Sequence, residues 1–436
     1  MLFVLDFILL CNLLFALKYF KNIVAPPVLL GTGMLAATLI ASSYYIEWDM
    51  KSMLFKTFSI IAGGTVFFTI CCIFFRNIFG CYKSLTKKQI DVHILKWHKI
   101  NAFLIFSIVI GCLAILLKHY YLRAHFGSLL SISELIVARR DNEWTGNNDF
   151  LMPSWVRQFG SFTSVISYFT MWLWTLLIFI PKKQRNKKVY RLVLLHIVIS
   201  FFDGLFSGSK APAMSMALRF VVFYMYNYYS IKGSFLLKKI LVVRLLLAIL
   251  FVALSFRGLS LLIGRSVEDR TNSDLLAEYC GAEIKNLDIF LSQNKHYNTK
   301  KWGENTFYAF YEEMDPTYFY GNQEFHMVGN YHLGNVYTMF RPYYEDFGMV
   351  GVYLMCFFMA FVSMYIYEKT LRSIVQPTKI NPILFMYSSL ALSLFMSFFS
   401  GKFTESICRL GWLKSMLYVY VMVVFLRKYI YTNYEK

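Results

Sequence analysis

Eleven stretches of this chain are apolar over about the length that a helix needs to cross a bilayer: roughly 2–17, 23–46, 54–75, 100–117, 158–180, 192–207, 214–230, 240–256, 347–367, 383–400 and 413–426. A crossing takes about 20 residues, and in hydrocarbon only a helix or a closed barrel satisfies every backbone polar group. These runs are continuous and do not alternate, which argues against a barrel. Composition agrees: 57% of the 436 residues are hydrophobic and 16% are charged, against about 45–50% and about 25% in soluble domains. The expected fold is an all-α polytopic integral membrane protein with about eleven transmembrane helices, in a range of ten to twelve. Ten applies if 1–17, which contains Asp6, does not cross. Lys18-Tyr19-Phe20-Lys21 follows that segment where a cleavable signal would carry small residues. Pro26-Pro27 predicts a kink near the start of the second span.

The formal charge is +19, a value that by itself suggests nucleic acid or anionic lipid as a partner. Its distribution supplies a simpler reason. Lys and Arg concentrate in the short loops that stay cytoplasmic. With 76–99 inside, alternation puts 18–22, 181–191, 231–239, 368–382 and 427–436 inside as well. Together these segments hold 23 Lys and Arg against the three acids Asp91, Glu368 and Glu435. Topology thus accounts for the basicity and leaves a nucleic-acid role without support. No phosphate-cradling Gly-rich motif occurs in these connectors, so no nucleotide-driven transport domain is present in them.

The outer face carries two long loops, 118–157 and 257–346. The chain therefore divides into 1–256 with the first eight spans, a large external loop of 90 residues at 257–346, and 347–436 with the last three spans. Loops of this length are usually functional. The second holds 13 acids, 8 bases and His296, His326 and His332, with an aromatic run from Trp302 to Tyr320 that suits packing or sugar rings equally. The eight cysteines lie mostly in or beside spans, so no disulfide framework is expected. No Cys/His cluster has zinc spacing. Two acid-x-acid pairs, Glu47/Asp49 and Glu313/Asp315, are weak candidates for a divalent ion.

Charges at membrane depth are costly and are functional candidates by default. Lys210 sits in an external turn, Arg219 about one and a half turns into the next span, Arg257 at the end of the eighth span with Arg265 and Arg270 after it, and Arg341 just before the ninth. As a set these cations read as a phosphate clamp, since Arg forks match phosphate oxygens. Snorkelling to headgroups is the alternative for any one of them, and is the reading for Arg244 near an inner helix end. Ser131-Ile132-Ser133-Glu134 has capping-box spacing and predicts a short surface helix ending at Arg139-Arg140, which can reach an anionic lipid substrate. A neutral imidazole is a usable base near pH 7, which makes His332 the first candidate, His326 the second, and Asp346 the third. Glu345 and Asp346 also suit the start of a helix electrostatically.

This pattern resembles the bacterial O-antigen or capsule repeat-unit polymerases: ten to fourteen spans, a moderate external loop mid-chain and a larger one before the last few spans. Two motifs agree. Gly208-Ser209-Lys210 is similar to a Gly-Ser-Arg-like turn, with Lys where Arg is commoner. Asn335-Val336-Tyr337-Thr338, Tyr344 and Asp346-Phe347-Gly348-Met349-Val350-Gly351 are similar to a run that enters a late span in that family. The resemblance implies transfer of an undecaprenyl-pyrophosphate-linked glycan onto the next lipid-linked repeat unit at the periplasmic face of the inner membrane. It implies no metal, no cofactor and no nucleotide, and a chain-length regulator as a protein partner. Arg257, Arg265 and Arg341 would hold pyrophosphate, with Lys210 and Arg219 in support. O-antigen ligases share the donor and are the nearest alternative. A flippase or transporter of lipid-linked sugars is the other; it predicts internal repeats and midplane charges, of which Asp6 and Asp203 are the clear instances here.

Overall fold

The computed structural model describes residues 1–80, 90, 91, 93–144, 150–234, 256–264, 271–293, 301–315, 318, 323–373 and 377–432. The membrane-crossing helices in the first half are α1 (Leu2–Phe20), α2 (Pro26–Ser43), α3 (Phe55–Phe79), α4 (Trp97–Phe126) and α6 (Ser154–Phe179), with α5 (Ile132–Trp144) between the last two. α7 (Lys187–Leu205) and α8 (Ala211–Lys232) follow. The external loop contributes α9 (Phe256–Leu262), α10 (Asn272–Cys280), α11 (Ala282–Ser292) and α12 (Tyr308–Met314), and a hairpin of β1 (His326–Val328) and β2 (Tyr331–Gly334). The chain ends with α13 (Phe340–Arg372), α14 (Pro382–Phe395), α15 (Lys402–Ile407) and α16 (Leu410–Ile430). The hairpin is antiparallel, with Val328 opposite Tyr331 and His326 opposite Gly334, and it is the only sheet among the described residues.

Seven helices are long and apolar enough to cross a membrane: α1, α2, α3, α4, α6, α13 and α16. Their outward faces carry large exposed apolar side chains, among them Phe3, Phe7 and Leu14 on α1 and Leu417, Val421 and Phe425 on α16. A soluble protein does not leave such stripes uncovered; the chain is a multi-pass membrane protein. The remaining expected crossings divide three ways. The 383–400 run is a shorter apolar helix, α14 continued by a 3-10 turn at Met396–Phe398. The 192–207 and 214–230 runs form α7 and α8, which are 19 and 22 residues long but more polar. The 240–256 run, with Arg244, falls almost wholly outside the described residues.

α14 joins the two halves of the bundle. It packs on α2 and α13 on one side and on α8 and α16 on the other. α13 lies along α3, where Gly64 leaves the room that Phe340 fills: a Cβ there would meet the Phe340 ring at 2.4 Å. Small residues permit this close approach between membrane helices. On the other side α6 packs against α4, α7 and α8.

Two local expectations change. Pro26 and Pro27 occupy the first turn of α2, where the missing N–H costs nothing, so they start the helix and do not kink it. The break lies instead in α13 at Gly348, at φ 64° and ψ −158°, a region essentially restricted to glycine. It separates a lead-in segment carrying Arg341, Glu345 and Asp346 from the span proper. The capping box at Ser131 forms: its backbone N–H donates to Glu134 Oε2 at 2.7 Å, and the Glu134 N–H donates to Ser131 Oγ at 3.4 Å. α5 runs on past Arg139-Arg140 to Trp144 and docks into the bundle, burying Leu135 and Ile136 against Leu122, Val156 and Leu205.

The external loop packs, as its aromatics suggest. Asp288 on α11 accepts from the Leu54 backbone N–H and the Thr57 hydroxyl, tying α11 to the start of α3. Asn286 donates to the carbonyls of Leu333 and Val336, tying α11 to β2. Trp302 stacks on Phe307 and packs at a tilt against Phe347. The seven described cysteines are all free.

Candidate functional site

The polar side chains of α7 and α8 converge on one place. Asp203, in the last turn of α7, holds Lys118 of α4 at 2.6 Å from its Oδ1. Arg219, 6% exposed, donates to Ser167 of α6 at 2.6 Å and to Ser215 one turn back at 3.0 Å, and its guanidinium lies 3.6 Å over the Tyr168 ring. These groups line a cavity of about 940 Å³ between α4, α5, α6, α7, α8, α14, α15 and α16. It lies at the end of the bundle that carries the two long loops.

Six basic side chains line this cavity: Lys118, Arg139, Arg157, Arg219, Arg409 and Lys414. Asp203 is the only acid among its described lining residues. Ten serines complete the polar wall; four of them, Ser154, Ser161, Ser164 and Ser167, form a stripe along α6 at helical spacing. Two of the cations are committed: Lys118 to Asp203, and Arg409 to Glu313 at 2.6 Å. Arg139 donates to the Phe206 carbonyl at 3.0 Å. Arg157, Arg219 and Lys414 make no ion pair among the described residues. Of these three only Arg219 is buried, and burying an arginine without a counter-charge is expensive, so an anion would be favoured beside it. Beneath it, the Ser200 and Thr170 hydroxyls each lie 3.3 Å from Nδ1 of the fully buried His196.

The cavity adjoins a second, apolar one. A groove of about 890 Å³ runs between α4, α6 and α16, lined by side chains such as Phe103, Phe106, Phe162, Val421 and Phe425. Gln158, Val165 and Tyr418 line both spaces. A charged, serine-lined chamber therefore continues into a hydrocarbon-like slot, which is the shape of an anionic amphiphile.

The candidate residues from the sequence are dispersed over several places. Arg219 and Arg139 line the cavity. Arg140 lies beside Arg139 on α5 and pairs with Asp141 at 3.3 Å. Lys210 is buried at the start of α8 with Nζ 4.0 Å over the Tyr279 ring. Near it, burial pushes the Cys280 thiol up and holds the Glu283 carboxyl far above its usual range.

Arg341 belongs to a third cluster. It packs 3.8 Å over the Tyr337 ring, pairs with Glu345 at 3.4 Å, and reaches Gln323 at 3.4 Å. The Tyr337 hydroxyl is 2.7 Å from Nε2 of His326. His332 projects from β2 as an exposed side chain. Asp346 accepts three hydrogen bonds, from the Asn305 backbone and side chain and from the Thr306 backbone, and so anchors the 301–307 segment. Arg257 is exposed on α9. Arg265 and Arg270 lie outside the described residues. None of Lys210, Arg257, Arg341, His326, His332 and Asp346 lines the cavity. Of the weak metal candidates, Glu313 receives Arg409 and the Gly411 N–H, and Asp315 pairs with Lys301 at 3.6 Å.

Sequence reasoning passed over Lys118, Arg157, Arg409 and Lys414. Arg157, Arg409 and Lys414 stand at helix starts and Lys118 just past the apolar run of α4, where a basic residue is ordinary, and only the packing of α4, α6 and α16 brings them together. The serine stripe of α6 was the available signal. No family model matches the chain, and no curated protein or solved structure is significantly similar to it.

Proposed function

We propose that this protein polymerises undecaprenyl-pyrophosphate-linked oligosaccharide repeat units of an O-antigen or capsule, by glycosyl transfer at the periplasmic face of the inner membrane. The observation that carries this reading is the cation-lined cavity that continues into the apolar groove. A lipid pyrophosphate has both halves of the matching chemistry: a multiply charged head and a hydrocarbon tail. Glycosyl transfer from such a donor breaks the bond between the anomeric carbon and the pyrophosphate oxygen. Negative charge grows on that oxygen, and preorganised cations are the largest single means of stabilising it. Arg219, with Arg157 and Lys414 at the rim, supplies them, since none of the three pairs with a carboxylate among the described residues and Asp203 is held by Lys118.

An O-antigen ligase would use the same donor and differ only in its acceptor. A carrier would need a polar path for the head group towards the opposite membrane face. Apart from Trp155, Gln158, Tyr418 and Tyr429 the groove is lined by Ala, Phe, Ile, Met and Val side chains, which favours a lipid tail at rest over a head group in transit.

The test is made on purified protein in nanodiscs. Undecaprenyl pyrophosphate should bind, and lipid-linked oligosaccharide extracted from the host cells should be converted to a ladder of longer lipid-linked glycans. Transfer to lipid A core alone would move the assignment to the ligase. Absence of both products, with protein-dependent movement of the lipid-linked glycan between leaflets, would overturn the transferase reading.

A further inference from the structure

We propose that Asp203 is the proton acceptor of the transfer reaction, the group that activates the attacking sugar hydroxyl. This rests on the transferase reading above and adds to it the base that the reading needs. The histidines singled out from the sequence do not line the cavity, and His196 is fully buried behind Ser200, out of reach of an acceptor hydroxyl.

Asp203 is the only carboxylate among the described residues lining the cavity. Its two oxygens differ. Oδ1 receives Lys118 Nζ at 2.6 Å, which fixes the rotamer; Nζ also approaches the Asp203 carbonyl at 3.4 Å. Oδ2 accepts no hydrogen bond among the described residues, and it is not among the sealed polar atoms of the interior. Its lone pairs therefore face the cavity. The neighbouring helix makes room for this: a Cβ at Gly160 would stand 2.8 Å from Lys118 Nζ and 3.5 Å from Asp203 Oδ2. A carboxylate steadied through one oxygen and open at the other is the usual form of a positioned general base. The same chamber then holds both requirements of the reaction, cations for the leaving group and one carboxylate for the proton.

The step balances as follows. The acceptor O–H bond breaks and its proton goes to Asp203 Oδ2. The oxygen's electron pair forms the new bond to the anomeric carbon of the donor. The bond from that carbon to the pyrophosphate oxygen breaks, and its electron pair leaves with undecaprenyl pyrophosphate. The proton on Asp203 passes to bulk solvent before the next cycle. Lys118 touches Asp203 and is a positioning residue in this scheme.

The experiment compares wild type, Asp203→Asn and Asp203→Ala in nanodiscs, with transfer measured on lipid-linked oligosaccharide from the host cells and binding measured with undecaprenyl pyrophosphate alone. Asp203→Asn keeps the acceptor for Lys118 and the volume, and removes the base. Loss of positioned general-base catalysis costs about 100-fold or more, so turnover should fall at least that far while undecaprenyl pyrophosphate binding stays within about 3-fold. Formate added to Asp203→Ala should restore part of the turnover by standing in for the missing carboxylate, a response that a structural strut would not give. Turnover of Asp203→Asn within about 3-fold of wild type would overturn the assignment. So would a joint loss of binding and turnover without formate rescue, which would make the Lys118–Asp203 pair a structural brace. Wild-type protein that binds undecaprenyl pyrophosphate but transfers nothing would fail the transferase reading itself, and is recognised before any variant is made.

Discussion

Replacing Arg219 by Met separates a ligand-binding arginine from a structural one, because the structure predicts opposite effects on binding and on stability. The guanidinium makes two hydrogen bonds to serines and lies on Tyr168. Hydrogen bonds to a charged group contribute about 1.5–3 kcal/mol each, and a desolvated cation–π contact about 2 kcal/mol. Against these stands the removal of a guanidinium from water with no counter-ion, which costs several kcal/mol. The terms offset, so Arg219→Met should leave unfolding stability within about 1 kcal/mol of wild type. Binding should respond differently. A cation about 4 Å from a phosphate oxygen at an effective dielectric of about 20 contributes about 4 kcal/mol, so undecaprenyl pyrophosphate affinity should drop by about two to three orders of magnitude. Arg219→Lys should recover only part of this, since Lys lacks the fork. Thermal unfolding in nanodiscs reads both effects. Undecaprenyl pyrophosphate at about 100 times its wild-type Kd stabilises wild type by about 2.7 kcal/mol and should stabilise the Met variant by almost nothing. A variant that unfolds several degrees below wild type yet binds normally would refute the reasoning and make Arg219 a strut between α6 and α8.

Further outcomes follow from other parts of the molecule. Reporter fusions after residues 90, 185 and 375 should read cytoplasmic and those at 145 and 300 periplasmic, from the concentration of 23 Lys and Arg in the inner segments; a cytoplasmic signal at 300 would move the cavity to the wrong face. Asp346→Asn removes the charged acceptor of three hydrogen bonds, a local loss of about 2–3 kcal/mol, and amide exchange at Asn305 and Thr306 should accelerate on the order of 50-fold. The Glu134 carboxyl is held below its usual 4.5 by the Ser131 N–H and then the Ser131 hydroxyl. A lowered folded value means that its capping contribution is complete above the unfolded pKa and is lost as pH falls through the folded one. Proteolysis within 127–144 should therefore increase only below about pH 4.5, and Glu134→Gln should abolish that dependence.

The apolar runs fixed most helix positions because hydrocarbon leaves the backbone no other way to pair its polar groups. The same rule explains where the reading weakened. α7 and α8, two of the expected crossings, have more polar content than the seven long apolar helices, and they carry Asp203 and Arg219 to the cavity, with His196 buried beneath it. The sequence exposed Arg219, since a charge deep in a span has few innocent explanations. It could not separate Lys118 or Arg409 from the ordinary cations that flank apolar runs, because their meaning lies in contacts to Asp203 and Glu313, which are 85 and 96 positions away along the chain. The long loop misled in the opposite direction. Arg341, His326 and Asp346 stand close together before the apolar run at 347–367, but Gly348 breaks the helix between that segment and the span, and each residue finds a partner within 257–346.

Positive residues are selected against at outer helix ends by the same bias that orients the whole chain. The chamber nevertheless gathers six basic side chains, three of which make no ion pair among the described residues, and one of these, Arg219, is buried. An anion bound there would supply the missing counter-charge, so the chamber favours an anionic ligand. The apolar groove sharing Gln158, Val165 and Tyr418 with the chamber narrows it further, because a free phosphate or a soluble sugar phosphate has no use for a hydrocarbon slot. The pairing of chamber and groove therefore favours a lipid-borne phosphate over any water-soluble one, and it does so independently of the motifs in the external loop.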